Sequence, residues 1–215
     1  MKLDFPLIWQ KLPFLLGGAW TTFSLTCVSM LFATIAGLLI GLLNMFGGKV
    51  LGAITRVYIE VVRGTPALLL ICIVYFALPS AGINLPQFTA AAVSLAACYA
   101  AYIAEVFRSA VESIPKGQTE AAFSLGMSRM QSLRYVILPQ TFRRILPPLA
   151  NEFAALIKDT SLVAFISMED LLYRSKMVSA STFDYLSPLL GAAMIYLAMT
   201  LPIMQWSRSL ERKAS

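Results

Sequence analysis

The sequence predicts an all-α protein with several membrane-spanning helices, and both its composition and its charge pattern indicate this fold class. Of its 215 residues, 58% are hydrophobic and only 13% are charged, whereas a soluble domain carries about 25% charged residues. Three windows contain no charge, at 12–48, 65–104 and 185–207. Each exceeds the roughly 20 apolar residues that cross a bilayer. We therefore expect a polytopic membrane protein that forms one domain over residues 1–215.

Turn residues divide these windows into five expected membrane-spanning helices. Pro, Ser, Gly and Asn cluster at 79–86, which splits the second window into two crossings. The mixed polar stretch from Ser167 to Asp184 is expected to form a short helix against the membrane surface. The expected spans cover residues 17–44, 54–78, 89–111, 142–164 and 185–207.

The basic residues predict how the chain is oriented in the membrane. Lys and Arg concentrate around residues 49–56, between Arg108 and Arg144, and at 208–213. The opposite side has only Lys2, Lys11, Arg174 and Lys176. Because cytoplasmic loops are enriched in Lys and Arg, we expect the N-terminus outside and the C-terminus in the cytoplasm. This pattern also accounts for the formal net charge of +6 without a nucleic-acid partner.

No motif indicates a disulfide, a metal site or a nucleotide site. Cys27, Cys72 and Cys98 all lie in apolar windows without ligand spacing, which is typical of buried thiols. The phosphate-binding pattern G-x-x-x-x-G-K-[ST] does not occur. The chain is therefore not expected to be an enzyme or to hold a metal or cofactor of its own.

One polar segment, at 115–140, interrupts the apolar chain on the expected cytoplasmic side. Glu120 is expected to start a short helix, where the helix dipole favours a carboxylate. Gly126 allows a sharp turn or the close approach of another protein. The candidate contact residues are Glu120, Ala121, Ala122, Gly126 and Arg129. An ordinary amphipathic loop on the membrane surface is the alternative that this pattern leaves open.

Glycine marks two further features of the apolar helices. The run Arg63, Gly64, Thr65 and Pro66 is a helix weak point, because proline removes a backbone hydrogen bond and glycine loosens the preceding turn. A bend there could serve gating, or it could be a fixed kink that shapes the packing. Gly37 and Gly41 form a small-xxx-small pair, which suits either the approach of another helix or packing within one subunit.

The fourth expected span carries a polar face. Asn151, Glu152, Ala155, Lys158 and Asp159 share an arc of about 120° on a helix. Ionisable groups inside a membrane cost about 2.5–3.5 kcal/mol each and usually face a cavity or a partner. Glu152 and Lys158 lie about 9 Å apart along the axis, which leaves room for a small zwitterion. The alternatives are that Lys158 and Asp159 neutralise each other or pair with another helix, or that they lie in the outer headgroup layer.

Four segments together resemble the permease subunits of binding-protein-dependent ABC importers, in the branch that takes up polar amino acids. The cytoplasmic segment reads E-A-A, three residues, G, and later V-I-L-P at 120–139. The other matching segments are 58–69, 101–118 and 151–163. Together they cover most of the chain from Tyr58 to Val163.

This resemblance implies the fold of type I importers, a five-helix core of which two copies, identical or related, enclose one translocation path. The cytoplasmic segment would be a coupling-helix hairpin that docks on a separate ABC ATPase, and that partner would bind ATP and Mg²⁺. An extracytoplasmic amino-acid-binding protein would deliver the substrate to a bacterial inner membrane. In this family the third helix also lines the path. The implied path residues are Cys98, Tyr99, Asn151, Glu152, Lys158 and Asp159.

Two other classes of function stay open from the residues alone. A secondary amino-acid transporter driven by an ion gradient could use Glu152, Lys158 and Asp159 as an ion relay, although the internal repeats common in such folds are not found. A membrane scaffold that transports nothing is the third reading. The inward polar face of the fourth span disfavours it.

Overall fold

The computed structural model describes residues 3–214, without the side chains of residues 213 and 214. Lys2, which the orientation argument uses, lies outside them, as does the side chain of Lys213 in the basic tail. Within the described residues the chain is helical and contains no strand. The α-helices are α1 (Phe5–Phe46), α2 (Gly48–Arg63), α3 (Ala67–Cys72), α4 (Gln87–Glu112), α5 (Lys116–Ser124), α6 (Arg129–Gln131), α7 (Leu138–Asp159), α8 (Leu171–Thr182) and α9 (Leu186–Ala214).

Non-α helical turns extend some of these helices. A π-helix (Ile73–Ala77) and a 3-10 helix (Leu78–Ala81) follow α3. A second π-helix (Ser132–Ile137) joins α6 to α7, and a 3-10 helix (Thr160–Ile166) follows α7. Wide and tight turns of this kind are frequent at functional positions and connectors.

Three described helices are long and apolar enough to cross a membrane, namely α1, α4 and most of α9. A fourth candidate is the pair of α2 and Ala67–Ala81, whose axes differ by 103°. The expected continuous span at 54–78 is therefore broken, because Pro66 cannot continue the hydrogen bonding of α2. α7 does not qualify, since it holds Arg143, Arg144, Glu152, Lys158 and Asp159. The count of five crossings and the outside N-terminus stay predictions.

The long helix α1 packs across α4 at two glycines. A Cβ atom on Gly37 would lie 2.7 Å from Ile103 Cβ and 2.8 Å from the Ala100 carbonyl oxygen. On Gly41 it would lie 2.8 Å from a ring carbon of Phe107. The small-xxx-small pair thus serves helix packing within the chain, which is one of the two roles that the sequence left open.

The core is centred on α4, which contacts α1, α2, α3 and α7. Apolar side chains from these helices are fully buried against one another, and α4 contributes Leu95 and Ile103 to them. Leu25 of α1, Ile71 of α3 and Leu156 of α7 complete the centre of this cluster. This packing fixes the face of α4 that carries Cys98 and Tyr99 against α7.

The short helix α8 begins at a buried carboxylate. Asp170 is fully buried and accepts hydrogen bonds from the backbone N–H of Tyr173 (2.8 Å) and of Leu172 (3.2 Å). The hydroxyl of Tyr196 in α9 donates a third, at 3.2 Å. Burial raises the pKa of Asp170 to about 6, although these hydrogen bonds oppose the rise. Asp170 therefore caps α8 and ties it to α9.

We expect the stability of the protein to fall as the pH rises from about 4 to about 7, in part because of Asp170. Folding raises its pKa from 3.8 to about 6, so the folded state binds the proton more tightly than the unfolded state. The stabilisation that this proton gives is lost as the pH rises through this range. Asp170→Asn keeps a side chain that caps the helix but does not titrate. It should reduce the fall in the free energy of unfolding across this pH range by roughly 2–3 kcal/mol. Thermal melting in detergent across this pH range measures it.

The matched control is Asp184→Asn, which changes an aspartate whose pKa hydrogen bonds from Ser187 hold below its usual range. That variant should retain the fall. An unchanged pH slope in Asp170→Asn would contradict the assignment.

Candidate functional site

The clearest contact among the expected path residues joins α4 to the end of α7. The hydroxyl of Tyr99 donates a hydrogen bond of 2.9 Å to Asp159 Oδ2. Tyr99 is 3% exposed, so its ring is fixed in the core and its hydroxyl orients the carboxylate. The structure thus brings together two expected residues that are 60 positions apart. Cys98 is buried in the apolar core beside Leu95, where its thiol packs as an apolar group.

Glu152 lines a cavity of about 350 Å³, and sequence reasoning did not select the other charged side chains around it as path residues. Acidic and basic side chains from α2, α4 and α7 line this cavity. The charged and aromatic lining residues are Arg63, Tyr102, Glu105, Arg144 and Glu152. A cavity with cations and carboxylates on facing helices suits a small zwitterion, because both of its charges find a partner. We call it the path cavity.

Of the six expected path residues, Glu152 lines the path cavity and the other five do not. Asn151 and Lys158 are exposed on the surface of α7. Among the described residues, no ion pair joins Lys158 to Asp159. Successive positions lie about 100° apart around a helix, and the Asp159 carboxylate accepts its hydrogen bond from Tyr99 instead. Lys158 therefore remains available to another molecule.

Arg63 connects the path cavity to the helix break. Its guanidinium lies 3.8 Å from Glu105 Oε1 and its Cζ lies 5.6 Å from the centre of the Tyr102 ring. α2 ends at this residue, where Gly64 N–H still donates to the Glu60 carbonyl at 2.9 Å. Thr65 closes the turn by donating from its hydroxyl to the Val61 carbonyl at 2.7 Å. Sequence reasoning predicted the weak point but not the contact of Arg63 with α4.

An ion network continues along α4 from this point. Arg108 donates from Nε to Glu105 Oε2 at 3.1 Å and from its terminal nitrogen to Glu112 at 2.5 Å. Residues three and four apart share one face of a helix. Glu105 is therefore held between Arg63 and Arg108, so that α2 and α4 are joined at the edge of the path cavity.

The expected coupling hairpin is formed by α5 and α6, joined through Gly126. α5 ends in a Schellman motif, because Met127 N–H donates to the Ala122 carbonyl at 3.1 Å and Gly126 N–H to that of Phe123 at 2.9 Å. Gly126 takes φ = +77°, a conformation that other residues rarely adopt. Ser128 then starts α6 with a capping box to Gln131. The backbone of the hairpin therefore favours glycine at this position.

Two expectations about the hairpin need correction. Glu120 is not in the first turn of α5, because Pro115, with its fixed φ, starts the helix earlier and Lys116 is its first residue. The prediction that the Glu120 carboxylate interacts with the helix N-terminus is therefore wrong. Ala122 is 3% exposed, so it packs inside the chain and supports the hairpin without reaching a partner. Glu120, Ala121 and Arg129 are exposed.

Large apolar side chains on this hairpin are exposed, and sequence reasoning did not select them. Leu125 is 79% exposed and Met130 is 69% exposed. Both lie near the Gly126 turn, in the polar segment between α4 and α7. Exposed apolar groups around a turn of fixed conformation are a candidate protein contact surface. We call Leu125, Gly126 and Met130 the turn surface.

Known proteins are similar to this chain over nearly its whole length. The family model for the binding-protein-dependent transport system inner membrane component matches residues 7–215. The glutamine transport system permease protein GlnP of Escherichia coli (strain K12) is 40% identical over 215 residues, which cover 99% of this chain and 98% of the relative. The arginine transport system permease protein ArtQ of Bacillus subtilis (strain 168) is 36% identical over 214 residues, with 99% and 98% covered.

Solved structures have the same fold. A chain of the crystal structure of an amino acid ABC transporter with histidines superposes with a TM-score of 0.94 at 36% identity, covering 99% of this chain and all of that one. The MetNI methionine ABC transporter in an inward-facing form superposes with a TM-score of 0.76 at 20% identity, over 99% of this chain, which shows the shared fold. The chain belongs to the family of binding-protein-dependent transport system inner membrane components.

Proposed function

We propose that this chain is the permease subunit of an ATP-driven importer of polar amino acids in a bacterial inner membrane. The observation that carries the proposal is the near full-length similarity to permeases of amino-acid importers, at 36–40% identity. The ion-gradient alternative gains no support from these relatives. As a permease subunit, the chain forms the translocation path and leaves ATP hydrolysis to a separate ATPase.

The coupling hairpin carries the mechanical link in this proposal. ATP and Mg²⁺ bind to the partner ATPase, and the turn surface docks on that partner. The Schellman and capping-box hydrogen bonds keep the hairpin rigid, so a displacement of the ATPase moves the hairpin as one body. Because α5 follows α4 and α6 leads through a π-helix into α7, the motion reaches both helices that carry the path residues.

Substrate recognition uses the charges on α7 and α4. The Glu152 carboxylate is suited to the substrate ammonium, and the exposed Lys158 ammonium is suited to its carboxylate. Tyr99 holds Asp159 in one orientation through its 2.9 Å hydrogen bond, which makes Tyr99 a positioning residue. The names of the relatives give glutamine, arginine and cystine as the transported substrates. All three carry an α-ammonium and an α-carboxylate group. Because these two groups are shared, one set of protein charges can bind substrates with different side chains.

The helix break is suited to gating. α2 and Ala67–Ala81 meet at 103° beside the path cavity, and Arg63 bridges the break to Glu105 at 3.8 Å. A small change of the backbone at Gly64 and Thr65 would move Arg63 relative to Glu152. A second permease copy, identical or related, would complete the path. An extracytoplasmic binding protein would deliver the amino acid from the other side.

Capture of the ATPase tests this assignment. The chain, purified in mild detergent, should retain an ABC ATPase co-expressed from the same organism, because the turn surface is apolar and rigid. Leu125→Asp should lose it, since the partner would then cover an unpaired charge. Phe183→Asp, which changes a side chain that is 88% exposed outside the hairpin, is the control and should keep it. If the wild-type chain retains no ATPase, the proposal fails.

A further inference from the structure

A second cavity lies between the coupling hairpin and the membrane helices. It has a volume of about 700 Å³ and is lined by the ends of α1 and α4, by α5, and by α6 with the π-helix after it. Most of its lining is apolar, from Met45, Phe46, Val111, Ile114, Phe123 and Ile137. We call it the hairpin groove. It shares no residue with the path cavity, so the transport path does not explain it.

Two cations line the hairpin groove. Lys116 and Arg129 line it and form no ion pair among the residues that the structure describes. Glu112 lines it as well, but its carboxylate accepts a 2.5 Å hydrogen bond from Arg108. The groove therefore presents two positive charges that no acidic side chain neutralises. An anionic group is the complementary ligand.

A buried hydroxyl at the same groove also lacks a partner. Ser132 is 2% exposed, lines the hairpin groove and has no hydrogen bond from its Oγ. A buried hydroxyl without a hydrogen bond costs about 1–3 kcal/mol, so a ligand oxygen there would relieve it. This observation is independent of the two cations, and it points to the same kind of ligand.

The position of the groove decides what kind of anion it fits. α1 and α4 both end beside it, at Phe46 and Glu112, so the groove lies where apolar membrane helices give way to polar chain. In a membrane-spanning chain we expect this boundary at the depth of the lipid headgroups. A free phosphate ion would use Lys116 and Arg129 but would leave the apolar wall uncovered. Basic pockets at the cytoplasmic ends of membrane helices are suited to anionic lipid headgroups.

We propose that the hairpin groove binds an anionic glycerophospholipid of the cytoplasmic leaflet, with its phosphate between Lys116 and Arg129 and an acyl chain along the apolar wall. The bound lipid joins the ends of α1 and α4 to α5 and α6. It therefore connects the coupling hairpin to the membrane helices through contacts that the chain does not make by itself. The site is separate from substrate recognition and does not depend on which solute is carried.

Native mass spectrometry of the permease–ATPase complex tests this site. The complex is titrated in detergent with phosphatidylglycerol or phosphatidylethanolamine of matched acyl chains. We expect each permease chain to bind one phosphatidylglycerol at least about 10-fold more tightly than phosphatidylethanolamine, given about 1 kcal/mol for each basic residue near an anionic headgroup. Lys116→Gln combined with Arg129→Gln should reduce this preference to less than about twofold on the same basis.

Matched variants distinguish lipid binding in the groove from a general effect of positive charge and from docking of the ATPase. Lys49→Gln combined with Arg134→Gln removes two exposed cations that do not line the groove and should keep the preference. Lys116→Arg combined with Arg129→Lys retains the charge and should also keep it. Lys116→Gln alone should lower the preference by about 5-fold without touching Arg129, a candidate ATPase contact.

Three results would overturn the proposal. The first is equal binding of the two lipids by the wild-type complex. The second is a preference that survives in the Lys116→Gln and Arg129→Gln double variant. The third is binding of phosphatidylglycerol to the permease alone that disappears when the ATPase is present, because the groove would then belong to the ATPase interface.

Discussion

Replacing Gly126 with aspartate is expected to abolish ATP-driven uptake while the permease still folds. A Cβ atom at Gly126 meets nothing within 4 Å in this chain, so the chain itself has space for a side chain. Aspartate also tolerates the left-handed conformation better than most residues, which keeps the hairpin turn at φ = +77°. The loss would therefore come from the partner, where an unpaired charge at a closed contact costs about 2–5 kcal/mol. Uptake and ATPase retention, measured on the same preparation, report it.

Two variants of the same hairpin make this result interpretable. Gly117→Asp places the same charge in the first turn of α5, where nothing lies within 4 Å and the backbone has no positive φ, and it should leave uptake intact. Gly126→Asn adds nearly the same bulk without charge and should retain more uptake than Gly126→Asp. Normal ATP-driven uptake in Gly126→Asp would rule out the turn surface as the ATPase contact.

Replacing Glu152 with glutamine is expected to raise the KM for the amino acid at least about 10-fold while leaving the complex assembled. The change keeps the size of the side chain and removes the charge that we propose for the substrate ammonium. A lost charged hydrogen bond costs about 1.5–3 kcal/mol. Radiolabelled uptake against substrate concentration, in vesicles that contain the complete importer, separates KM from maximal rate.

Glu112→Gln is the matched control for this change. Glu112 does not line the path cavity, and Arg108 keeps its hydrogen bonds to Glu105 without it. Its KM should stay within about twofold of the wild type, as for most surface substitutions. Unchanged uptake in Glu152→Gln would remove Glu152 from the substrate site.

The sequence predicts much of this molecule because its strongest signals are local. Charge-free windows of apolar residues define α1, α4 and α9, since a helix in lipid must satisfy its own backbone hydrogen bonds. The E-A-A segment with its glycine identifies the family, which the match over residues 7–215 confirms. The helix break also follows from local chemistry, because glycine followed by proline weakens any helix.

Other features depend on how distant segments pack, and the sequence does not determine them. Glycine and proline fix where α2 ends, but the 103° angle depends on the contacts of the segments on either side. The hydrogen bond from Tyr99 to Asp159 spans 60 positions and exists because α4 packs against α7. Helical periodicity grouped Lys158 with Glu152, yet Lys158 is exposed, because an arc of about 120° covers both the cavity side and the surface of a helix.

The placement of Glu120 shows a different limit. The E-A-A letters suggested a helix start, but proline at position 115 starts α5 earlier because its fixed φ suits the residue that precedes or opens a helix. Pro115 is the residue in the sequence that indicates this helix start. The exposed Leu125 and Met130 had no such signal, because apolar residues are common in this chain and only the structure distinguishes the exposed ones.

Transport in proteoliposomes shows whether this chain works as part of an ATP-driven importer. The permease is reconstituted with and without its ATPase and binding protein, and uptake of labelled glutamine is measured with ATP present and with ionophores that collapse proton and sodium gradients. We expect uptake that requires both the ATPase and ATP and that survives the ionophores. Uptake by the permease alone that an ion gradient drives and the ionophores abolish would contradict it.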